Sequence, residues 1–504
     1  MPSRESASIT AEARKRIYAY LALSAQIILL TAYLLVPYLA HSDALQWDAV
    51  GHVFQSWFIK EYLFPALTGW NFFFFAGYPQ GTFYPPLFHY GTACLAFLLG
   101  VKLAFKALVS LAVLALVPSA YYFARACHAK RISAATASAG VTTLMAAPIV
   151  YSLGNNNIGG TFLSTFNTGL VTNAAALPLF FLYCGALLKA ERNYNLLWPS
   201  LLLALLILTH TLSTIAAGLF ALCCLSLQLR NLRIIRLHIL HYGLTLLLTA
   251  FWIIPFLVYL PFTETVKISL RLAPGGLLIE ILGIILVISG IIKDRLSYAP
   301  AIYFLLLTSV LLTINLLNIP FHVYRLILFA IIMIPLFVVQ FLNPEKHGYL
   351  LAALMVFLVY CLASNNIAVY GPKMPELTFN RQAFKNRTWV VIPPSDENSP
   401  HLLQHVIPTR FRVASLKGLF VESSPNARFI LSTEKLLDQH SMVWGVPTMI
   451  TKDLPKETKR NILARMLRIY GINSVLSTHT LPLLKNTVTR PAFSYDKARP
   501  HFKL

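Results

Sequence analysis

Acidic side chains are scarce in this sequence: its 504 residues carry 19 Asp and Glu against 41 Lys and Arg. Charged residues of both signs make up 12% of the chain and hydrophobic residues 57%. That balance excludes a soluble globular protein of this length and points to a multi-pass membrane protein. Cysteine is also sparse. Cys94, Cys127, Cys184, Cys223, Cys224 and Cys361 lie in or beside apolar runs, and none follows Cys361, so neither a disulfide framework nor a cysteine-based metal site is supported. The sequence also lacks an internal repeat and a pair of Gly/Pro-broken helices at matching positions in two halves, which is the pattern of many transporters.

What is abundant is apolar sequence of helix length. Residues 17–40 follow a basic leader (Arg4, Arg14, Lys15, Arg16) and are long enough to cross about 30 Å as a helix. A cleaved signal has an apolar region of only about 7–15 residues, so this segment is expected to be an uncleaved anchor. Further spans are predicted at 105–124, 132–153, 169–188, 195–210, 211–229, 237–260, 275–292, 298–317, 321–342 and 349–366, about eleven in all. With a cytoplasmic N-terminus, fifteen Lys and Arg, from Arg4 to Lys346, fall on the inner side, and only Lys60, Lys102, Lys106, Lys267 and Arg271 lie in the opposite short loops. This bias places the first loop, 41–104, outside the cytoplasm, and an odd number of spans puts the tail outside as well. Residues 85–100 are too short and interrupted for a span and are expected to form a re-entrant or interfacial helix.

Residues 1–366 therefore read as a transmembrane domain and 367–504 as an extracytoplasmic α/β domain. In the tail, "RTWVVIPP" and "TRFRVASLKGLFVE" are strand-like. "LPKETKRNILARMLRIYG" carries a helical apolar stripe closed by Gly471, and "INSVLST" returns as a strand. From Lys373 to Lys503 there are 20 Lys and Arg against 9 acids. Outside a cell this charge suits anionic lipid headgroups or an acidic glycan, not nucleic acid, and a plainly solvated basic surface explains it equally well.

The first loop opens with "LQWDAVGHVFQSWFIKEYL", residues 45–63. On a helix, Trp47, Val50, Phe54 and Phe58 make an apolar stripe and Asp48, His52, Gln55 and Ser56 a polar one, a pattern that suits a helix lying in the membrane interface. Asp48 and His52 are at i and i+4, close enough to pair or to share a ligand. By spacing alone an ordinary Asp–His surface contact is the better reading.

The sequence then continues with a "GYP" at Gly77–Pro79 and "YPPLFHY" at Tyr84–Tyr90, followed by "NIGGTFLSTFNTGL", "LTHTLST", "FHVYRLILFA" and "IYGINSVL" in order along the chain. In these pieces the chain resembles the membrane family labelled 6-pyruvoyl-tetrahydropterin-synthase-related, which is similar to a branch of the GT-C glycosyltransferases. One departure is that "WDAVGH" is more apolar than the usual form at that position.

The resemblance implies a GT-C-like helical membrane enzyme of the cell (inner) membrane. It implies transfer of a sugar from a polyprenyl-phosphate donor to a glycan, lipid or protein acceptor on the outer face, with inversion by direct displacement. Its catalytic acid falls on Asp48, as general base or metal ligand, with His52 assisting. A divalent cation, Mg or Mn, is one expected cofactor, held by the same two residues. Arg325 is the leading candidate for the donor phosphate, since a guanidinium near the outer end of an apolar helix needs an anionic partner. Pairing with Glu280 or snorkelling to the surface are its plainer explanations. Arg271, Lys267 and His210 are further phosphate-binding candidates, His210 being equally suited to packing. Tyr78, Tyr84, His89, Asn157 and Glu280 are candidates for sugar or acceptor contact, although interfacial aromatics and turn asparagines need no such role. A flippase for lipid-linked sugars and a non-catalytic glycan-assembly scaffold are the competing classes.

Overall fold

The computed structural model describes residues 4–40, 47–152, 159–263, 274–293, 296–317, 325–342, 346–364, 387–391, 408–409, 412–416, 424, 426–437, 454–477, 494–495 and 502–503. The chain groups into two compact units. The first comprises Met1–Ser42, Leu103–Ile253 and Ser269–Val369, and the second Asp43–Lys102, Ile254–Ile268 and Tyr370–Leu504.

The first unit is helical. Helix α1 (Arg4–Leu30) runs through a widened turn, Thr31–Leu35, into α2 (Val36–Ala40). Pro37 explains the widening, because its ring clashes with the carbonyl four residues back, at Tyr33. The helices of this unit that follow are α5 (Val101–Ala126), α6 (Arg131–Ala146), α7 (Pro148–Ser152), α8 (Phe162–Asn167), α9 (Val171–Asn193), α10 (Leu197–Ile207), α11 (Thr211–Ser226), α12 (Leu232–Tyr259), α13 (Pro274–Ile292), α14 (Tyr298–Leu316), α15 (Ile327–Ile331), α16 (Ile334–Phe341) and α17 (His347–Ser364). Among the described residues, every predicted span overlaps helix. Two are broken: 132–153 at Ala147, before Pro148, and 321–342 at Ile332–Met333, before Pro335.

Among the described residues, five helical segments are long and apolar enough to cross a membrane: Glu12–Ala40, Val101–Ala126, Val171–Asn193, Leu232–Phe262 and His347–Ser364. The protein is thus a helical membrane protein. Other apolar helices, such as α10 and α11, are shorter, while α13 and α14 each run 19 residues. The 16-residue α6 is rich in Ala, Ser and Thr, and its small side chains admit close neighbours. A Cβ on its Gly140 would lie 2.7 Å from Pro335. Thr142 Oγ1 donates to Gln26 Oε1 of α1 at 3.0 Å, and Ser133 Oγ lies 2.7 Å from His347 Nδ1 of α17.

In the second unit, α3 (Asp48–Phe58) continues into a widened turn, Ile59–Leu63. Next come the antiparallel hairpin β1 (Gly69–Asn71) and β2 (Tyr78–Gln80), then α4 (Leu87–Leu99). Gly77 precedes β2 at φ +114°, and a Cβ there would meet the Trp70 ring, so a side chain is doubly disfavoured. The tail supplies β3 (Arg387–Val391), β4 (Ala414–Ser415), α18 (Ala427–Leu437), α19 (Lys456–Ile469) and β5 (Ile472–Ser477), with the strands parallel in the order β4-β3-β5. Gly471, at φ +60°, ends α19 as its position suggested. Of the expected strand within 409–422, only Ala414 and Ser415 form one among the described residues.

The core of this unit is shared between first loop and tail. Phe54, Phe58, Phe73, Phe74, Phe75 and Tyr78 cluster with Trp389, Leu416, Ile430, Leu431, Leu463 and Met466. The backbones join too: Ser415 N donates to Phe73 O at 2.6 Å and Phe75 N to Leu416 O at 3.1 Å. The expectation of an interfacial α3 with its polar stripe outward is corrected here. All residues from Ala49 to Phe58 are buried, including His52, Gln55 and Ser56. Of the polar stripe, His52 meets His89 of α4, which packs against α3, and Asp48 stays exposed.

Candidate functional site

Asp48 opens α3 and is exposed, while His52, one turn further, is buried. The helix N-terminus, with its unsatisfied N–H groups, favours a carboxylate at Asp48. Trp47, just before it, has φ +43° and ψ −120°, a conformation that costs a non-glycine residue about 1–3 kcal/mol and concentrates at functional sites.

Below Asp48 the hydrogen bonds assign the tautomers. His52 Nδ1 lies 2.9 Å from His89 Nε2. His89 also bonds the Pro85 carbonyl, which only accepts, so the other ring nitrogen of His89, Nδ1, carries the proton. Its Nε2 is then an acceptor, and His52 Nδ1 is the donor to it. The proton of His52 is therefore on Nδ1 and its Nε2 holds the lone pair. Burial pulls the basicity of His89 down to about 3, only partly opposed by the Pro85 carbonyl, so His89 is neutral at ordinary pH. The half-buried Tyr84 ring closes the group, 5.7 Å from His52 and 5.3 Å from His89 between centroids.

Asp48 and His52 Nε2 are two acceptor groups one helical turn apart, chemistry suited to receiving a hydroxyl proton or a divalent cation. Among the described residues no set of three or more His, Cys, Asp or Glu is placed to hold a metal. A Mg-like ion at Asp48 would take that one carboxylate and complete its shell with water and substrate oxygens.

Tyr78 does not belong to this group. It is 1% exposed in the core, and its hydroxyl is engaged within the hairpin by Asn71 Nδ2 at 3.0 Å and Gln80 Oε1 at 2.7 Å. The sugar or acceptor role expected for it is corrected to a structural one: a ring buried on both faces has none left for a sugar.

In the first unit, His210 caps α11. Its Nδ1 accepts from Ser213 N at 3.2 Å, which leaves Nε2–H as the donor. The packing and phosphate-binding readings of this residue are thus compatible. Arg325 is half-buried just ahead of α15, and its Nε has no partner among the described residues. Glu280 of α13 is fully buried, and neither of its oxygens is bonded there. An Arg325–Glu280 ion pair, offered above as the plainer explanation, is therefore not formed.

Glu280 has a counterpart that the sequence did not single out. Gly283 packs against Phe304 and Gly290 against Leu296, so α13 and α14 run antiparallel, and the same pairing brings Glu280 level with Thr308. Thr308 Oγ1 is likewise buried without a partner among the described residues, as are Asn167 Oδ1 and Asn173 Nδ2. Asn167 and Asn173 lie in or beside the quoted "NIGGTFLSTFNTGL", where the density of small polar residues is the signal. Lys267, Arg271 and Asn157 lie outside the described residues.

A scan against protein-family models and a search of curated proteins found no match to this chain.

Proposed function

We propose that this protein is a membrane glycosyltransferase that moves a sugar from a polyprenyl-phosphate-linked donor to an acceptor on the outer face of the membrane. The observation that carries the reading is the pair of acceptor groups at the start of α3: the exposed Asp48 carboxylate and, one turn below it, His52 with its Nε2 lone pair set by His89. An acceptor hydroxyl attacking an anomeric carbon must lose its proton, and Asp48 receives it. The new C–O bond forms as the bond from the anomeric carbon to the phosphate oxygen breaks. The electron pair leaves on the polyprenyl phosphate, and attack from the opposite side inverts the centre.

His52 Nε2 accepts a hydrogen bond from the same hydroxyl or its neighbour. A divalent cation held by Asp48 and His52 supplies positive charge to the phosphate when bound. The phosphate role of Arg325 and His210 rests on their own chemistry, an unpartnered guanidinium nitrogen and an imidazole N–H left as a donor by the cap. The charge bias of the short loops supports a cytoplasmic N-terminus and an external tail in the cell (inner) membrane.

The test is product formation from a polyprenyl-phosphate sugar by the Asp48→Asn variant. Asp48 is exposed at a helix start, so the variant is expected to fold, and its rate is expected to fall by about 10²–10⁴-fold. Full product from folded Asp48→Asn protein rules the mechanism out. Intact transfer with lost lipid translocation favours a flippase.

A further inference from the structure

We propose that one end of the first unit holds the phosphate-bearing headgroup of an anionic membrane lipid. This proposal stands apart from the transfer reading and concerns the end of the bundle where α5 meets α6 and α11 meets α12. Hydrogen bonds draw four turns together there. Arg192 Nη2 donates to Ala126 O at 3.0 Å, Gln228 Nε2 to Glu191 Oε2 at 2.9 Å, and Ser297 Oγ to Cys127 O at 3.2 Å. They enclose a cavity of about 320 Å³ whose wall includes His128, Arg192, Gln228 and Tyr298. An open hollow of about 910 Å³, lined by Arg230 and Arg233, shares Gln228 with it.

The charge at this place is one-sided. Glu191, the acid on the cavity wall, already has both oxygens engaged, by Gln228 and by His238 Nε2 at 3.0 Å. Arg192 bonds a neutral carbonyl and, among the described residues, Arg192, Arg230 and Arg233 have no acidic partner. Guanidinium forks left with unused N–H donors around a pocket of this size suit a phosphate.

Depth decides between a lipid and a free anion. Three of the five candidate spans, Val101–Ala126, Val171–Asn193 and Leu232–Phe262, have an end at this cavity, which puts it at the level of lipid headgroups. Tyr298 of its wall is exposed, an amphipathic ring of the kind that sits at that level. Exposed Leu229 and Leu232 continue the rim toward the apolar side, where acyl chains would lie.

The test uses the full-length protein in a neutral detergent, with native mass spectrometry as the readout for added phosphatidylglycerol, phosphatidylcholine or inorganic phosphate. The wild-type protein is expected to retain phosphatidylglycerol over phosphatidylcholine. Arg192→Gln with Arg230→Gln should weaken phosphatidylglycerol by roughly 25-fold, about fivefold for each charge. Arg465→Gln, which removes an exposed charge elsewhere, should leave it unchanged. Equal retention of the two lipids, an unaffected double variant, an equal loss from Arg465→Gln, or inorganic phosphate binding as tightly as the lipid would each overturn the proposal.

Discussion

His52 and His89 stand 37 residues apart in sequence and 2.9 Å apart in space, ring nitrogen to ring nitrogen. The contact ties α3 to α4 and, through the Pro85 carbonyl, settles which nitrogen of His52 keeps its lone pair. The orientation of the His52 ring thus depends on a third residue, His89.

His89 is thus a positioning residue. His89→Leu leaves the His52 ring without its acceptor, and transfer is expected to fall about 10–100-fold in a folded protein. Nitrogen chemical shifts of the His52 ring should show a mixture of tautomers in that variant and a single Nδ1–H form in the wild type. His89→Gln retains an acceptor and should restore most of both. An unchanged His52 tautomer in His89→Leu would remove this role.

Arg325 is expected to act on donor binding. Arg325→Gln should raise the KM for the lipid-phosphate sugar by roughly 10–100-fold, the loss of one charge-assisted hydrogen bond. Arg325→Lys keeps the charge but not the fork and should fall between the two. Steady-state kinetics with varied donor separates this outcome from a change in kcat alone, which would speak for a role in the chemistry.

Glu280 trades stability for something else. Its carboxylate is fully buried, with both oxygens unbonded among the described residues. Replacing such a group by an apolar side chain of similar size removes an uncompensated desolvation cost. Glu280→Leu should therefore raise stability by about 1–3 kcal/mol in thermal unfolding, and if Glu280 contacts substrate, it should lower product formation. Destabilisation instead would mean that the carboxylate has a partner in the native state.

Glu61 and Arg412 link the first loop to the tail within the second unit. The Glu61 carboxylate lies 3.1 Å from Arg412, which also donates to Tyr62 Oη and stands 4.6 Å from the Trp57 ring. Burial would raise the Glu61 pKa, but the hydrogen bonds and charges of Lys60 and Arg412 outweigh it and hold it below the ordinary carboxylate value. A depressed folded-state pKa means that the unfolded chain binds the proton more readily. The stability it contributes is present above the ordinary carboxylate value and is lost as pH falls through the folded one. Both partners are partly exposed, so Glu61→Gln should cost only about 0.2–1 kcal/mol at neutral pH. Unfolding curves of variant and wild type should converge in acid.

Helices and their turns were legible in the sequence because they follow from local features. Apolar runs of span length coincide with helices and Gly471 ends its helix at positive φ, whereas the breaks at Ala147 and Ile332–Met333 fall within runs read as continuous. In the tail, the β-branched and aromatic residues of Arg387–Val391 and Ile472–Ser477 form the expected strands. Asp48 and His52 were also picked out by periodicity, and periodicity does place them on one side of α3.

What periodicity does not specify is what covers that side. The polar stripe of α3 was read as facing the interface, but α4 packs against α3 and supplies His89 as partner to His52. Tyr78 looked like an interfacial or sugar-facing residue, but it shares a core with Phe73–Phe75 and tail residues such as Trp389 and Leu416. Composition and spacing thus determined a helical membrane protein with an acid and a histidine on one helical face. The tertiary structure alone decided which groups are buried and which tautomer His52 adopts, because both depend on contacts between residues tens to hundreds of positions apart.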